Sequence, residues 1–234
     1  MRYLILSDIH SNCEALTAVL AHVRRKHWDK AVVLGDIVGY GANPNQAVEM
    51  IRELKPLVAI RGNHDKVCAG VEDGEMFNRV ALQAAMWTRQ KLTPGNLRWL
   101  QSLPEGPAVV DGNFAVAHGT PIDEDAYIFG EIEALNVFRQ TAFPLCFFGH
   151  SHFPVLFGLS PDAIQTVLTD TVAIGTSGAK PLATADLGPP WSHAFAQLRA
   201  ALPWQYGSGV ASARVVAVSP ELKRKLREAA LRVP

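Results

Sequence analysis

Five short stretches of the chain end in residue types that can serve as ligands of divalent metal ions. Each begins as an apolar run of strand length, and in order they read LILSDIH, VVLGD, VAIRGNH, FAVAH and CFFGHSH. Imidazole and carboxylate groups together suit transition-metal ions such as Mn, Fe, Ni and Zn. No cysteine is among the candidate ligands, which disfavours a structural zinc site. The candidates are Asp8, His10, Asp36, Asn63, His64, His118, His150 and His152.

Each stretch by itself has an ordinary structural explanation. Gly35-Asp36 and the residues after Gly62 are typical of turns, and a single histidine such as His118 is more often a hydrogen-bonded core residue. It is harder to explain five strand ends that all carry a potential metal ligand as unrelated turns and core histidines. Ligands of open α/β sheets bind at the carboxyl ends of strands, so we expect these residues to meet in one pocket. Two ions about 3.5–4 Å apart could share a carboxylate there and polarise a phosphoryl group.

Alternating strand and helix patterns predict the elements that would position these residues. Apolar runs predict strands at 3–6, 30–34 and 57–60, and helical apolar faces lie within 12–23 and 43–54. This order indicates βαβ units and a parallel sheet. Further along, the sequence predicts a helical region at 75–103, a hairpin at 109–117, a helix at 132–139, a strand at 145–148, a second hairpin at 154–168 and a basic helix at 221–231.

Composition narrows the class of protein. The 234 residues are 48% hydrophobic and 19% charged, which is typical of one large globular domain. The net charge is zero, which argues against a nucleic-acid binder that relies on a basic surface. The three cysteines are far apart, so a disulfide framework is not expected. The first apolar run has only four residues and predicts neither a signal peptide nor a membrane span, so we expect a cytoplasmic protein.

The ordered motifs resemble the calcineurin-like metallophosphoesterase superfamily. Its pattern DxH, GD, GNH[DE], H and GHxH is matched by SDIH, LGDIVGYG, RGNHD, AHGTP and GHSHFP. The resemblance covers residues 1–168, and GDIVGYGANPN points to the small bacterial phosphodiesterase branch. It implies an α/β (α+β) fold, a four-layer sandwich of two mixed β-sheets flanked by helices. A dinuclear metal site would lie at the carboxyl ends of the strands.

The resemblance also implies a role for each motif residue. His64 would contact the phosphate and protonate the leaving alkoxide, and Asp65 would orient His64. A hydroxide held by the ions would attack phosphorus in line, with Mn²⁺ favoured and Fe, Zn or Ni as alternatives. The metal ligands would form two sets that share Asp36 as a bridge: Asp8, His10 and His152 in one, and Asn63, His118 and His150 in the other.

A metal-dependent phosphodiesterase that acts on a small phosphoester or nucleotide-like substrate is therefore the leading functional prediction. The alternatives are a non-catalytic scaffold protein on the same fold, and a phosphomonoesterase or nucleotide pyrophosphatase. A homo-oligomer is compatible with any of them. The segments 67–74 and 121–129 are predicted walls of the substrate site. Tyr40, Tyr127 and Phe129 could stack on a base, although packing is the more common role for such residues.

The C-terminal segment departs from the family pattern. We expect a single domain over 1–234, with 169–234 as an atypical C-terminal segment, because the turn that usually follows the GHxH hairpin is absent from the sequence. One hypothesis is a frameshift in the coding DNA, because residues 183–191 can be back-translated into a family-like ending. All candidate ligands lie upstream of this segment.

Overall fold

The computed structural model describes residues 1–153 and 155–159, and the backbone of three further strands at 164–168, 193–197 and 212–217. The six helices of this part of the chain are α1 (Cys13–Val23), α2 (Pro44–Glu53), α3 (Asn63–Ala69), α4 (Arg79–Lys91), α5 (Pro94–Gln101) and α6 (Glu131–Gln140). The strands are β1 (Arg2–Ser7), β2 (Lys30–Val33), β3 (Val58–Ala59), β4 (Ala108–Val110), β5 (Phe114–Val116), β6 (Leu145–Phe148), β7 (Val155–Leu159), β8 (Ile164–Leu168), β9 (His193–Gln197) and β10 (Ser212–Ala217).

The strands form two mixed sheets. The first has the order β10-β1-β2-β3, in which β1, β2 and β3 are parallel and β10 is antiparallel to β1. The second has the order β4-β5-β6-β9-β7-β8, in which β5, β6 and β9 are parallel. The remaining three neighbouring pairs in the second sheet, β4-β5, β9-β7 and β7-β8, are antiparallel. The carboxyl ends of β1, β2 and β3 therefore share one edge of the first sheet, and those of β5 and β6 share one edge of the second.

Alternation along each strand divides the core into three apolar layers. Leu4 and Leu6 of β1 pack against helices α1 and α2, whereas Tyr3 and Ile5 point towards the second sheet. Phe147 of β6 packs between the sheets, and burial of one such side chain stabilises the fold by about 1.5–3 kcal/mol. The residues on the opposite face of the second sheet pack against α6. Helix, sheet, sheet and helix thus stack in four layers, which confirms the predicted fold class.

Side-chain caps begin several of the predicted helices. Asn12 accepts a hydrogen bond from the N–H of Ala15 (2.9 Å), and Thr93 accepts one from Asn96 (3.3 Å). Pro94 occupies the first turn of α5, where its missing N–H has no cost. These local signals explain why the sequence predicts the starts of α1 and α5.

Helix α3 was not expected from the sequence. It begins after Gly62, and the carboxylate of Asp65 accepts the N–H of Gly62 (3.0 Å). It ends at Gly70, which has a left-handed φ of 74°. Its residues Val67 and Cys68 are buried in the core, so the predicted substrate wall at 67–74 is wrong for its first half.

Some sequence predictions lie outside the described residues. These are the basic helix at 221–231, the segment 183–191 that carries the frameshift hypothesis, and the connections between β8, β9 and β10. Within the described part of the chain, no helix has the length and apolar character that crossing a membrane requires.

Candidate metal centre

The candidate ligands follow the carboxyl ends of five strands. Asp8 and His10 come after β1, Asp36 after β2 and His118 after β5. Asn63 opens α3 just beyond β3, whereas His150 and His152 follow β6. The side chains of Asp8, His10, Asp36 and His118 are buried to 99% or more. The structure thus brings the candidate metal ligands together at one edge of the sandwich.

An unusual backbone conformation aims these side chains. Asp8, His10, Asp36, His150 and His152 all have φ between 50° and 68°, the left-handed region that non-glycine residues rarely occupy. Such strain clusters at functional sites, where the surrounding structure must hold it in place. In each case this conformation occurs one to four residues after a strand ends.

The two aspartates use their oxygens in the same way. Asp8 Oδ1 accepts the backbone N–H of His150 (2.9 Å), and Asp36 Oδ1 accepts that of His64 (2.9 Å). The second oxygen of each carboxylate makes no hydrogen bond to these backbone groups and is available as a metal ligand. Asp8 Oδ2 is buried and has no hydrogen-bond partner among the described residues. A buried carboxylate oxygen of this kind fits a metal ligand, because burial of an uncompensated charge is costly.

Two glycines allow the carboxylates to approach the neighbouring chain. A Cβ on Gly62 would overlap the carboxylate of Asp36, and one on Gly149 would lie 2.7 Å from Asp8 Oδ2. Gly62 comes directly before the GNH asparagine, and Gly149 directly before the GHxH pair. The glycines of both motifs are therefore required sterically around the two aspartates.

Three of the imidazoles are oriented by backbone carbonyls. His10 Nδ1 lies 3.2 Å from the carbonyl oxygen of Val38, and His118 Nδ1 lies 2.8 Å from that of Leu34. His150 Nε2 lies 3.0 Å from the carbonyl oxygen of Asp125. A carbonyl can only accept, so in each ring this nitrogen donates and the other is free for an ion in the neutral form. Metal-binding histidines are commonly held in this way.

The remaining nitrogens and oxygens converge in two groups. The first contains Asp8, His10, Asp36 and His152, and the second contains Asp36, His118 and His150; one ligand atom from each member lies within 4.8 Å of the others. In the first group, His10 Nε2 and His152 Nε2 are only 3.0 Å apart.

In the second group, His118 Nε2 lies 3.3 Å from Asp36 Oδ2 and 3.1 Å from Asn63 Oδ1. The amide of Asn63 therefore joins this group. Asp36 belongs to both groups, as expected of a bridging ligand, and the combined donor set of oxygen and nitrogen fits two divalent ions.

The ionisation of these groups follows from burial and from their neighbours. Burial would raise the pKa of Asp36, but His118, His64 and His10 hold it well below its usual value. Burial lowers the pKa of His118, yet Asp36 outweighs it and raises that pKa to about 10. Burial lowers the pKa of His150 to about 4. The Asp36 carboxylate therefore stays ionised and attracts a positive charge, either a proton on His118 or a metal ion beside it.

His64 lies beside both groups but belongs to neither. Its ring is only 5% exposed and packs between Tyr40 and Phe77, with centroid distances of 4.4 and 4.5 Å. Its Nδ1 has no hydrogen-bond partner in the described part of the chain. Burial lowers the pKa of His64 to about 4, so the imidazole is neutral at pH 7. Aromatic packing, rather than a hydrogen bond, sets the orientation of this ring.

Asp65 has a different role from the predicted one. Its Oδ1 accepts the N–H groups of Ile37 and Val38 (2.9 and 3.1 Å), and its Oδ2 accepts that of Gly62 (3.0 Å). The expectation that Asp65 orients His64 is therefore corrected: Asp65 fixes the loop after Asp36 to the start of α3. Burial raises the pKa of Asp65 to about 7.

An ion cluster surrounds the buried side chain of Lys66, and no local sequence pattern predicts it. Lys66 of α3 is 2% exposed, and its Nζ lies 2.7 Å from Asp125 and 3.0 Å from Glu124. Arg61 also binds Glu124, at 2.8 Å. Because the carbonyl of Asp125 accepts from His150, this cluster holds the loop that positions a candidate ligand.

The site opens into a cleft of about 230 Å³. Its lining is mainly polar and aromatic and contains Asp36, Tyr40, Asn63, His64, Tyr127, His150, Ser151 and His152. Part of the predicted wall at 121–129 is therefore present, through Tyr127.

We expect Asp36→Ala to lose both metal ions, because its carboxylate belongs to both ligand groups. Metal content would be measured by elemental analysis of folded protein after loading with Mn²⁺. His64→Ala is the matched control: it removes an imidazole from the same cleft without removing a ligand, and we expect it to keep nearly two ions. Equal metal loss in the two variants would contradict this assignment.

Comparison with known proteins adds independent evidence. A model of the calcineurin-like phosphoesterase family matches residues 1–154. An uncharacterized protein of Methanocaldococcus jannaschii is 40% identical over 157 residues, 64% of this chain and 62% of that protein. The aligned part thus spans less than two thirds of that relative.

Solved structures agree with this match. A metallophosphoesterase from Sphaerobacter thermophilus superposes with a TM-score of 0.65 and 30% identity, covering 98% of this chain and 94% of that one. A hypothetical protein from Pyrococcus horikoshii has a TM-score of 0.59 at 21% identity, over 66% of this chain and 71% of that one, which shows the fold alone. From its motifs, fold and relatives, the chain belongs to the calcineurin-like phosphoesterase family, whose members hydrolyse phosphoester bonds.

Proposed function

We propose that this protein is a metal-dependent phosphodiesterase. The observation that carries the proposal is the pair of ligand groups that share Asp36 at the base of an open cleft. Two groups of this composition suit two divalent ions, and a shared carboxylate is the arrangement that keeps such ions close together. The donors mix carboxylate and imidazole, which fits manganese, iron, zinc or nickel, and manganese is proposed among them from the family resemblance.

The residues would divide between the ions as the structure groups them. Asp8, His10 and His152 would hold one ion, while Asn63, His118 and His150 would hold the other, with Asp36 between them. When bound, such ions supply positive charge to the phosphoryl oxygens and make a water acidic enough to attack at neutral pH. The chain's own contribution is to fix the ligands through the carbonyls of Val38, Leu34 and Asp125.

In this proposal His64 acts on the phosphoryl group. It lines the cleft next to Asn63, and its Nδ1 lacks an acceptor. The single proton of the neutral ring therefore belongs on Nε2, from which it would donate to a phosphoryl oxygen. Protonation of the leaving alkoxide requires the imidazolium form, which burial disfavours. An anionic phosphoryl group at hydrogen-bond distance would raise the pKa of this imidazole and so favour that form.

The cleft favours a diester over a monoester. No lysine or arginine is among the described residues that line it. A phosphomonoester carries nearly two negative charges at neutral pH, and beyond the two ions and the histidines this lining offers no lysine or arginine for the additional charge. A diester carries one charge and two substituents, which suits an open, partly aromatic mouth. This comparison makes a phosphomonoesterase the less favoured alternative.

A non-catalytic scaffold is the competing function from another class. His64 lies beside a full set of candidate metal ligands, and a protein that acts only through protein contacts requires neither this histidine nor the ligands. Their presence argues against the scaffold. The cytoplasmic location, the extent of one domain over 1–234 and a homo-oligomeric state remain predictions.

We expect the Mn²⁺-loaded protein to hydrolyse bis(p-nitrophenyl) phosphate faster than p-nitrophenyl phosphate, as judged by kcat/KM. The two substrates release the same product, so nitrophenolate absorbance measures both on one scale. A chelator should abolish both activities, and added Mn²⁺ should restore them. Protein that holds two ions yet turns over neither ester would refute the proposed function and favour the scaffold.

We expect His64→Ala to lower kcat on the diester by about a hundredfold or more, the usual contribution of a proton donor at the reacting group. Metal content should stay near that of the wild type, which separates this loss from a loss of ions. His64→Gln keeps an N–H donor and should recover part of the rate. Wild-type kcat in His64→Ala would remove this residue from the mechanism.

A further inference from the structure

Three aromatic rings form a stack that leads out of the cleft. The ring of Tyr127 lies 3.8 Å from that of His150 and 4.9 Å from that of Phe129, with interplanar angles of 21° and 9°. The rings of His150 and Phe129 would overlap if both lay on the same face of Tyr127. The Tyr127 ring therefore lies between them. Phe129 ends the stack and is 60% exposed, while Tyr127 is 45% exposed.

The exposure of these rings is built into the fold. Ile128, between them in sequence, is 1% exposed and packs in the core beneath α6. The preceding residues Glu124 and Asp125 are bound to buried Lys66. Two exposed aromatic rings stacked on each other beside a cleft form a contiguous patch, and contiguous apolar patches mark binding surfaces.

The position of the stack indicates what it would bind. The cleft of about 230 Å³ opens to solvent, so a bulky substituent on a phosphoryl group bound beside the ligands extends past its aromatic lining. Tyr127 lines the cleft and also supports Phe129 at the rim. A flat, aromatic substituent would continue the stack on the outer face of Phe129.

We propose that Tyr127 and Phe129 form a stacking platform for the nucleobase of a nucleotide-like phosphodiester. This inference rests on the proposed function, since it assigns a substrate class to the same site. Stacking on an aromatic side chain is tolerant of base identity because every base has a π-face. The platform therefore selects nucleotides over alkyl or sugar phosphates, without choosing among bases.

The test compares adenosine 5′-monophosphate with ribose 5-phosphate, which differ by the base alone. Isothermal titration of Mn²⁺-loaded protein gives the Kd of each, and chromatography afterwards checks that both ligands are intact. We expect the nucleotide to bind the wild type about tenfold more tightly. Phe129→Ala should weaken nucleotide binding about tenfold and change ribose 5-phosphate binding less than twofold. Tyr127 is left unchanged, because its ring contacts His150.

Two further variants separate stacking from general effects. Phe129→Trp keeps an aromatic face and should restore nucleotide affinity. Ile132→Ala removes another exposed apolar side chain, 76% exposed, and should alter neither Kd. Equal Kd values for the two ligands in the wild type, or equal losses of both in Phe129→Ala, would overturn the platform. Should neither monoester bind, kcat/KM for thymidine 5′-(p-nitrophenyl phosphate) is compared with that for methyl p-nitrophenyl phosphate, and an equal effect of Phe129→Ala on these two diesters would overturn it. Hydrolysis of bis(p-nitrophenyl) phosphate is measured separately, so a failed platform is distinguishable from a failed phosphodiesterase.

Discussion

Two carboxylates buried side by side are the constraint on which the rest of this structure depends. Asp8 and Asp36 have relative exposures of 0% and 1% and follow neighbouring parallel strands. A buried charge is costly by several kcal/mol unless charges and hydrogen bonds compensate it. Backbone N–H groups take up one oxygen of each carboxylate, and imidazoles surround the second oxygen of Asp36. The left-handed backbone and the glycines around the site follow from this need.

Apolar packing between the two sheets offsets the free-energy cost of burying these charges together. Tyr3, Ile5 and Phe147 form the apolar layer between the sheets, and the site lies at its edge, where the strands end. The hydrogen bond from the N–H of His150 to Asp8 ties the end of β6 to the end of β1, so it links the two sheets directly. The candidate ligands are therefore held in position by the same packing that stabilises the fold.

The candidate ligands can be predicted from the sequence, whereas the residues that hold them in place, such as Asp65 and Lys66, cannot, because their partners are distant along the chain. Each ligand follows a local apolar run, and runs of this kind reveal strand ends. Helix α3 escaped prediction because glycine, asparagine and aspartate begin helices as readily as they form turns. The partners of Asp65 and Lys66 lie 28 and 59 residues away, at Ile37 and Asp125, so no local pattern could reveal them. The insertion of β9 between β6 and β7 is likewise a long-range pairing.

The central claim is that Asp36 lies between two ions held by separate ligand groups. Anomalous diffraction from crystals of the Mn²⁺-loaded protein, recorded on both sides of the manganese absorption edge, tests it most directly. The account predicts two peaks about 3.5–4 Å apart, one beside Asp8 and His152 and the other beside Asn63 and His118. A single peak, or peaks that avoid the Asp36 carboxylate in fully loaded crystals, would contradict it.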